Sequence, residues 1–103
     1  MKIYLNTACN YGENLYRIHV GTGTPWAKEF IVGAYDEQQA VDIIADFLEE
    51  KESVLVMSFY EVFDLCEVGQ TVDEFAKANG LTCAGNHGVY LHIESIEFLR
   101  GGI

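Results

Sequence analysis

The stretch DEQQAVDIIADFLEEKE, residues 36–52, decides how the rest of this chain can pack. Asp36 is a good N-cap residue, and Gln39 three positions later completes a D-x-x-Q capping box. Apolar side chains then recur at the spacing of one helix face: Ala40, Val41, Ile43, Ile44, Phe47 and Leu48. The stretch therefore predicts an amphipathic helix whose broad apolar side is buried in the core.

The other side of this predicted helix is acidic, and only Lys51 offsets its charge. It carries Glu37, Asp42, Asp46, Glu49, Glu50 and Glu52. Residues four apart on a helix lie about 6 Å apart along the axis, comparable to the phosphate spacing along one nucleic-acid strand. Two interpretations stay open: an ordinary solvated helix face, or a surface that imitates a phosphate backbone.

Strands are predicted on both sides of the helix. Before it, alternating apolar and polar residues predict strands over residues 1–7, 15–20 and 28–35, with the first two paired as a hairpin. After it, the mostly apolar run of residues 53–65 predicts the strongest strand of the chain. We expect that strand to lie centrally in a sheet, with its far end emerging toward solvent.

The second half of that predicted strand alternates. Phe63 and Leu65 are expected to point inward, and Val62 and Asp64 to point outward.

A second helix is predicted further along the chain, where Thr71 and Glu74 form another capping box. Gly80 is expected to end this helix as its C′ residue. Residues 81–88 then predict a loop, and residues 89–99 a final strand. The apolar phase of this strand slips near Glu94 and Ser95, which predicts a β-bulge.

The predicted order is β-β-β-α-β-α-β in a single domain, residues 1–103. The economical arrangement is a two-layer α+β fold, in which a mostly antiparallel sheet of about five strands carries two helices packed on one face. The connection through the long helix could instead be a right-handed parallel crossover.

Composition and charge limit the possible functions. Half of the residues are hydrophobic, which excludes a disordered chain. No apolar run reaches a membrane span, and no signal peptide is evident, so a cytoplasmic location is expected. Sixteen acidic residues against six basic ones give a net charge of −10, which disfavours direct binding to nucleic acid or membranes. The charge favours a basic protein partner, or serves solubility alone.

The cysteines and histidines provide a second hypothesis. Cys9, Cys66 and Cys83 form no tight pairing motif and are expected to be reduced thiols. Cys83, His87 and His92 have the side chains of zinc ligands in a C-x3-H-x4-H spacing, but no C-x2-C pair accompanies them. A thiol–imidazole pair could also supply a nucleophile. We predict no catalytic residue, metal or cofactor; a small ligand- or metal-binding domain using these three residues is the alternative.

The leading hypothesis is a non-enzymatic, acidic protein-interaction module. In addition to the helix carboxylates, Glu61, Asp64 and Glu67 are expected to contact the partner, and Trp26 beside Pro25 to act as an exposed anchor. In size and charge the chain resembles small phage and mobile-element proteins that inhibit restriction or CRISPR nucleases. That resemblance implies a nucleic-acid mimic that occupies a basic groove. The chain is expected to be a monomer or a homodimer.

Overall fold

A computed structural model gives the structure of residues 2–8, 11–21, 24–51 and 54–101. These residues form six strands and three helices. In chain order the elements are β1 (Lys2–Leu5), β2 (Asn14–Val20), β3 (Lys28–Ala34), α1 (Glu37–Glu50), β4 (Val56–Met57), α2 (Phe59–Leu65), α3 (Val72–Ala78), β5 (Leu81–Ala84) and β6 (Val89–Arg100).

The strands form one curled, mostly antiparallel sheet in the order β1-β3-β2-β6-β4, with β5 also paired to β6. Strand β6 is the longest, and its two halves have different neighbours. The half that includes Tyr90 and Leu91 pairs with β4 and β5, whereas the half from Ile93 onward pairs with β2. The predicted α+β class with a mostly antiparallel sheet is confirmed.

The predicted hairpin between the first two strands is wrong. Strand β1 pairs in parallel with β3, so that Ile3 lies beside Phe30 and Leu5 beside Val32. Strand β2 instead pairs antiparallel with β3 and β6. Asn6 holds the connection after β1 in place, because its side-chain amide donates to the Gly33 carbonyl at 2.8 Å.

The predicted β-bulge in β6 is confirmed. His19 of β2 is opposite Ser95, but the next residue, Val20, is opposite Ile93, so Glu94 has no partner in the ladder. The extra residue changes the phase of the strand, because side chains alternate between faces with a period of two. As a result Ile93 and Ile96 both pack against the main core.

Helix α1 agrees with its sequence pattern. The Asp36 carboxylate accepts a hydrogen bond from the Gln39 N–H at 2.7 Å, and the Gln39 side chain accepts one from the Tyr35 N–H at 2.6 Å. The helix buries its apolar side against β2, β3 and β6 in the main core. Its buried residues are Ala40, Val41, Ile44, Ala45 and Leu48.

The predicted long strand over residues 53–65 is wrong. Only Val56 and Met57 pair with β6, and residues 59–65 form helix α2, while residue 53 lies outside the described part of the chain. The Ser58 hydroxyl caps the helix by accepting from the Glu61 N–H at 3.2 Å. Helical spacing reverses the expected facing, since Val62 is fully buried and Phe63 is 58% exposed.

The second predicted helix is confirmed as α3. Both bonds of its capping box are present, between Thr71 and Glu74 at 3.1 and 3.2 Å. Gly80 follows with a φ of 69°, a conformation that glycine adopts at low cost. The predicted loop over residues 81–88 is wrong in its first half, which forms β5 and pairs with β6.

The helices pack on both faces of the β4-β5-β6 region, and not on one face as expected. Leu91 faces the main core and α1, whereas its neighbour Tyr90 faces a second cluster with Val62 of α2 and Val72 and Ala76 of α3. Adjacent residues of a strand point to opposite faces, so β6 supports both helix layers. The two predicted helices, α1 and α3, therefore lie on opposite faces, and α2 joins α3 in the second cluster.

Candidate functional site

The acidic side of α1 contacts the turn between β5 and β6. The Asp42 carboxylate accepts a hydrogen bond from the Gly85 N–H at 2.9 Å, and the Asp46 carboxylate accepts one from the Asn86 N–H at 2.8 Å. In the same turn, His87 Nδ1 lies 2.7 Å from a carboxylate oxygen of Glu49. Three of the predicted partner-binding residues thus hold a turn of the protein itself.

The remaining acidic residues of α1 lie at its two ends. Glu37 in the first turn and Glu50 in the last turn are exposed, and Glu52 lies outside the described residues. Because the β5–β6 turn covers the middle of the helix, the expected row of solvent-facing carboxylates is interrupted. The structure therefore provides no uninterrupted row along α1 for imitating a phosphate backbone.

Few of the acidic residues are neutralised by lysine or arginine. On the outer face of the sheet, Arg17 lies 3.2 Å from Glu29 and 3.0 Å from Glu97, and Lys2 lies 3.6 Å from Glu29. Among the described residues, no other lysine or arginine is in an ion pair. In the described part of the chain, the carboxylates of α1 and α2 therefore form no ion pair with lysine or arginine.

Helix α2 and the turn that follows it expose several large apolar side chains. Phe59 is 48% exposed, Tyr60 is 78% exposed, and Leu65 and Val68 are also exposed. The Phe59 ring stacks on Phe63 with centroids 6.2 Å apart and meets Tyr60 edge-on at 5.8 Å. We define the α2 surface by these side chains and the carboxylates among them: Phe59, Tyr60, Glu61, Phe63, Asp64, Leu65, Glu67 and Val68.

The α2 surface stands on a fixed base. Val62 is the buried residue of the helix, and it packs with Tyr90 and the apolar side of α3. The Cys66 thiol donates to the Val62 carbonyl at 3.3 Å, and the Ser58 cap holds the other end. The base thus anchors the helix backbone that carries the three exposed aromatic rings.

The carboxylates of the α2 surface are free of cationic partners. Glu61, Asp64 and Glu67 are exposed, and within the described ranges no lysine, arginine or histidine lies at ion-pair distance from them. Over residues 58–79 the chain carries five acidic residues and one basic residue, Lys77. The α2 surface thus combines exposed apolar side chains with exposed carboxylates.

Trp26 lies elsewhere on the protein. It lines an open cleft of about 390 Å³ that contains no residue of the α2 surface. The described lining residues are Ile3, Trp26, Lys28, Phe47, Leu48, Lys51 and Val54. The predicted partner-binding residues therefore lie in three parts of the molecule. One group is on helix α1, at its contact with the β5–β6 turn and at its two ends. The others are on the α2 surface and in this cleft.

Within the described residues, Cys83, His87 and His92 do not form a metal-binding group. Cys83 is exposed on β5, His87 contacts Glu49, and the nearest carboxylate to His92 is that of Glu94 at 3.9 Å. In the described part of the chain, no three His, Cys, Asp or Glu side chains are grouped to hold a metal ion. Cys66 and Cys83 are free thiols, and Cys9 lies outside the described residues.

Cys83 has a different neighbour, Tyr90, which is opposite it in the β5–β6 ladder. Burial raises the pKa of the Tyr90 hydroxyl above its usual value, and the adjacent Cys83 side chain, hydrogen-bonded to it, raises that pKa further. A phenol held in its neutral form fits a packing role in the second cluster.

Comparisons with protein-family models, curated proteins and solved structures give no match to this chain. None of the helices, taken over the described residues, has the length and apolar character needed to cross a bilayer. What the protein binds must therefore be inferred from its own side chains.

The sequence pattern did not predict the aromatic half of the α2 surface. A signal for it exists, because S-x-x-E at Ser58 and Glu61 is typical of the start of a helix.

Proposed function

We propose that this protein is a non-enzymatic interaction module that binds a basic protein partner through the α2 surface. The observation that carries the proposal is the exposed cluster in which the Phe59 ring contacts Tyr60 and Phe63. The carboxylates of the same surface form no ion pair with any described residue. Contiguous exposed apolar patches with polar margins mark interaction sites in monomeric proteins.

The aromatic residues supply the binding energy in this proposal. Tyrosine and other large aromatic side chains are enriched at hot spots, where they fill pockets on the partner and water is excluded by the residues around them. Tyr60 is the best placed, since it projects furthest into solvent and its hydroxyl can donate to the partner.

The carboxylates determine which partner is accepted. Glu61 and Asp64 are neighbours of the aromatic residues along α2, Glu67 follows the helix, and the whole chain carries a net charge of −10. Such a field speeds association with a basic surface and disfavours acidic proteins and nucleic acid. A basic partner with an apolar pocket is the chemistry that fits both halves of the α2 surface.

A narrower version makes the chain a nucleic-acid-mimicking inhibitor, of the kind found in phages and mobile elements. Its support is the net charge and the spacing of the α2 carboxylates, three residues apart along the chain. In this version the partner binds nucleic acid, and the chain competes for the same groove. Competition between the chain and a duplex oligonucleotide for the purified partner would separate the two versions.

The experiment begins with the immobilised chain as bait in a lysate of the cells that encode it. The captured protein is purified, and its dissociation constant is measured for the parent chain and for Tyr60→Ala. We expect Tyr60→Ala to weaken binding by about 2 kcal/mol, roughly 30-fold. Tyr11→Ala is the matched control, because Tyr11 is at least as exposed as Tyr60 but lies between β1 and β2.

Two double variants test whether the carboxylates of the α2 surface contribute to binding. Glu61→Gln/Asp64→Asn should slow association and flatten its dependence on salt, whereas Glu37→Gln/Glu50→Gln removes the same charge from α1 and should leave association near the parent rate. Equal losses from Tyr60→Ala and Tyr11→Ala would reject the α2 surface. Dissociation of a homodimer by Tyr60→Ala would show that a second copy, and not a basic partner, covers it.

A further inference from the structure

We propose that the cleft lined by Trp26 and α1 binds a small amphipathic carboxylate, an acid with an aliphatic or aromatic body. The cleft has a volume of about 390 Å³, within the range of small-molecule sites. It is separate from the α2 surface, so this inference stands or falls independently of the proposed protein partner.

The walls of the cleft are apolar. Ile3, Phe47, Leu48 and Val54 line it together with the Trp26 ring, and both Trp26 and Val54 are exposed. Such a surface favours a hydrocarbon or aromatic body, because contact with it removes apolar area from water on both sides.

Two ammonium groups give the cleft a charge opposite to that of the whole protein. Lys28 and Lys51 are two of only six basic residues in the chain, and none of the described lining residues is acidic. In the described ranges neither lysine forms an ion pair, whereas Lys2 and Arg17 both contact carboxylates. The two lysines are therefore available to an external anion.

The position of the lysines is fixed by the fold. Lys28 is opposite Val20 at the start of β3, on the face of the sheet that carries α1. Lys51 is the C-cap of α1, and its ammonium lies 5.9 Å from the centre of the Phe47 ring. That contact holds a positive charge directly against the apolar wall.

The end of α1 opposes an anion only weakly. A helix C-terminus carries about half a negative charge, and its effect falls off within the last turn. Two full ammonium charges exceed it. The charge pattern thus selects a single carboxylate attached to an apolar body, over a neutral or cationic molecule of the same size.

Trp26 provides the readout, because it is the only tryptophan of the chain. Octanoate is the probe, and octanol and octylamine are neutral and cationic controls of the same length. We expect octanoate to shift the Trp26 emission saturably with a dissociation constant of about 1 mM or tighter, and octanol to bind at least about tenfold more weakly. Added salt should weaken octanoate binding.

Lys28→Gln/Lys51→Gln should weaken octanoate binding by about tenfold while leaving octanol unchanged. Lys77→Gln/Arg100→Gln removes the same charge outside the cleft and should bind octanoate with an affinity within about twofold of the parent. Circular dichroism of both variants controls for folding. Amide chemical-shift changes on octanoate addition should concentrate at Ile3, Phe47 and Leu48.

Several outcomes would overturn the inference. Emission that never saturates, equal affinity for octanol and octanoate, or an unchanged affinity in Lys28→Gln/Lys51→Gln would each exclude a carboxylate site. Shift changes confined to the α2 surface would place the ligand elsewhere. Trp26 emission that changes with protein concentration alone would show that a second copy occupies the cleft.

Discussion

Replacing two neighbouring residues of α2 by alanine gives opposite predictions for a helix and for a strand. In the helix, Val62 is fully buried and Phe63 is 58% exposed. A strand that ran through the same residues would bury Phe63 and expose Val62, because its side chains alternate. The comparison of Val62→Ala with Phe63→Ala therefore tests the element that carries the proposed site.

The size of each effect follows from burial. Val62→Ala removes two buried methyl groups, about 1.6 kcal/mol of transfer free energy, and the cavity left behind raises the loss to about 2–3 kcal/mol. Phe63→Ala removes a ring whose main contact is Phe59, so we expect a loss of about 1 kcal/mol or less. Alanine favours the helix by about 0.5 kcal/mol at both positions, which cancels in the comparison.

Urea unfolding followed by circular dichroism measures both changes, and thermal unfolding provides a check. For a domain of this size about 1 kcal/mol corresponds to roughly 4–8 °C, so Val62→Ala should lower Tm by about 10–20 °C and Phe63→Ala by no more than about 8 °C. If Phe63→Ala destabilised the protein as much as Val62→Ala, α2 and its exposed rings would not exist as described.

Three further predictions test the surroundings. Asp46→Ala should cost about 1–2 kcal/mol by urea unfolding because it removes the acceptor of the Asn86 N–H, whereas Glu50→Ala should cost under about 0.5 kcal/mol; equal effects would mean that α1 does not hold the β5–β6 turn. Ser58→Ala should cost about 1 kcal/mol through loss of the α2 cap, and Ser58→Asp should restore it. Tyr90 binds its proton more tightly in the folded state than in the unfolded state, because burial raises its pKa. The contribution of Tyr90 to stability should therefore be full below about pH 10 and be lost as the pH rises above it, so the stability of Tyr90→Phe should fall less steeply in the same alkaline titration.

Local signals in the sequence predicted the elements that they control directly. Asp36 and Thr71 each sit next to the backbone groups that they cap, so the starts of α1 and α3 could be read from the chain. The bulge at Glu94 was also predictable, since a change of apolar phase within one strand needs an extra residue.

Pairing and facing were harder to predict. Strand β1 pairs with β3 through contacts between residues distant in the chain, so no local sequence signal predicts which strand β1 pairs with. The apolar run before Leu65 fits a buried strand or a helix equally well, because short runs do not distinguish the two periods. A strand, with its two-residue alternation of side chains, predicts that Phe63 is buried. That assignment does not predict the exposed aromatic part of the α2 surface.

The candidate site was predicted in part for the same reason. Glu61, Asp64 and Glu67 are candidates because of their charge, which is the same whether the segment is a helix or a strand. Their contact with a partner remains a prediction. The interruption of the α1 row was not predictable, since Asp42 and Asp46 meet a turn some 40 residues away in the chain.

Hydroxyl-radical footprinting of the chain with and without its partner tests the central claim most directly. Tyr60 and Phe63 are exposed in the free protein, and Tyr11 is an internal reference with 88% exposure. We predict that the partner protects Tyr60 and Phe63 from oxidation while Tyr11 reacts at its free rate. Unchanged oxidation of Tyr60 and Phe63 in a saturated complex would contradict docking through the α2 surface.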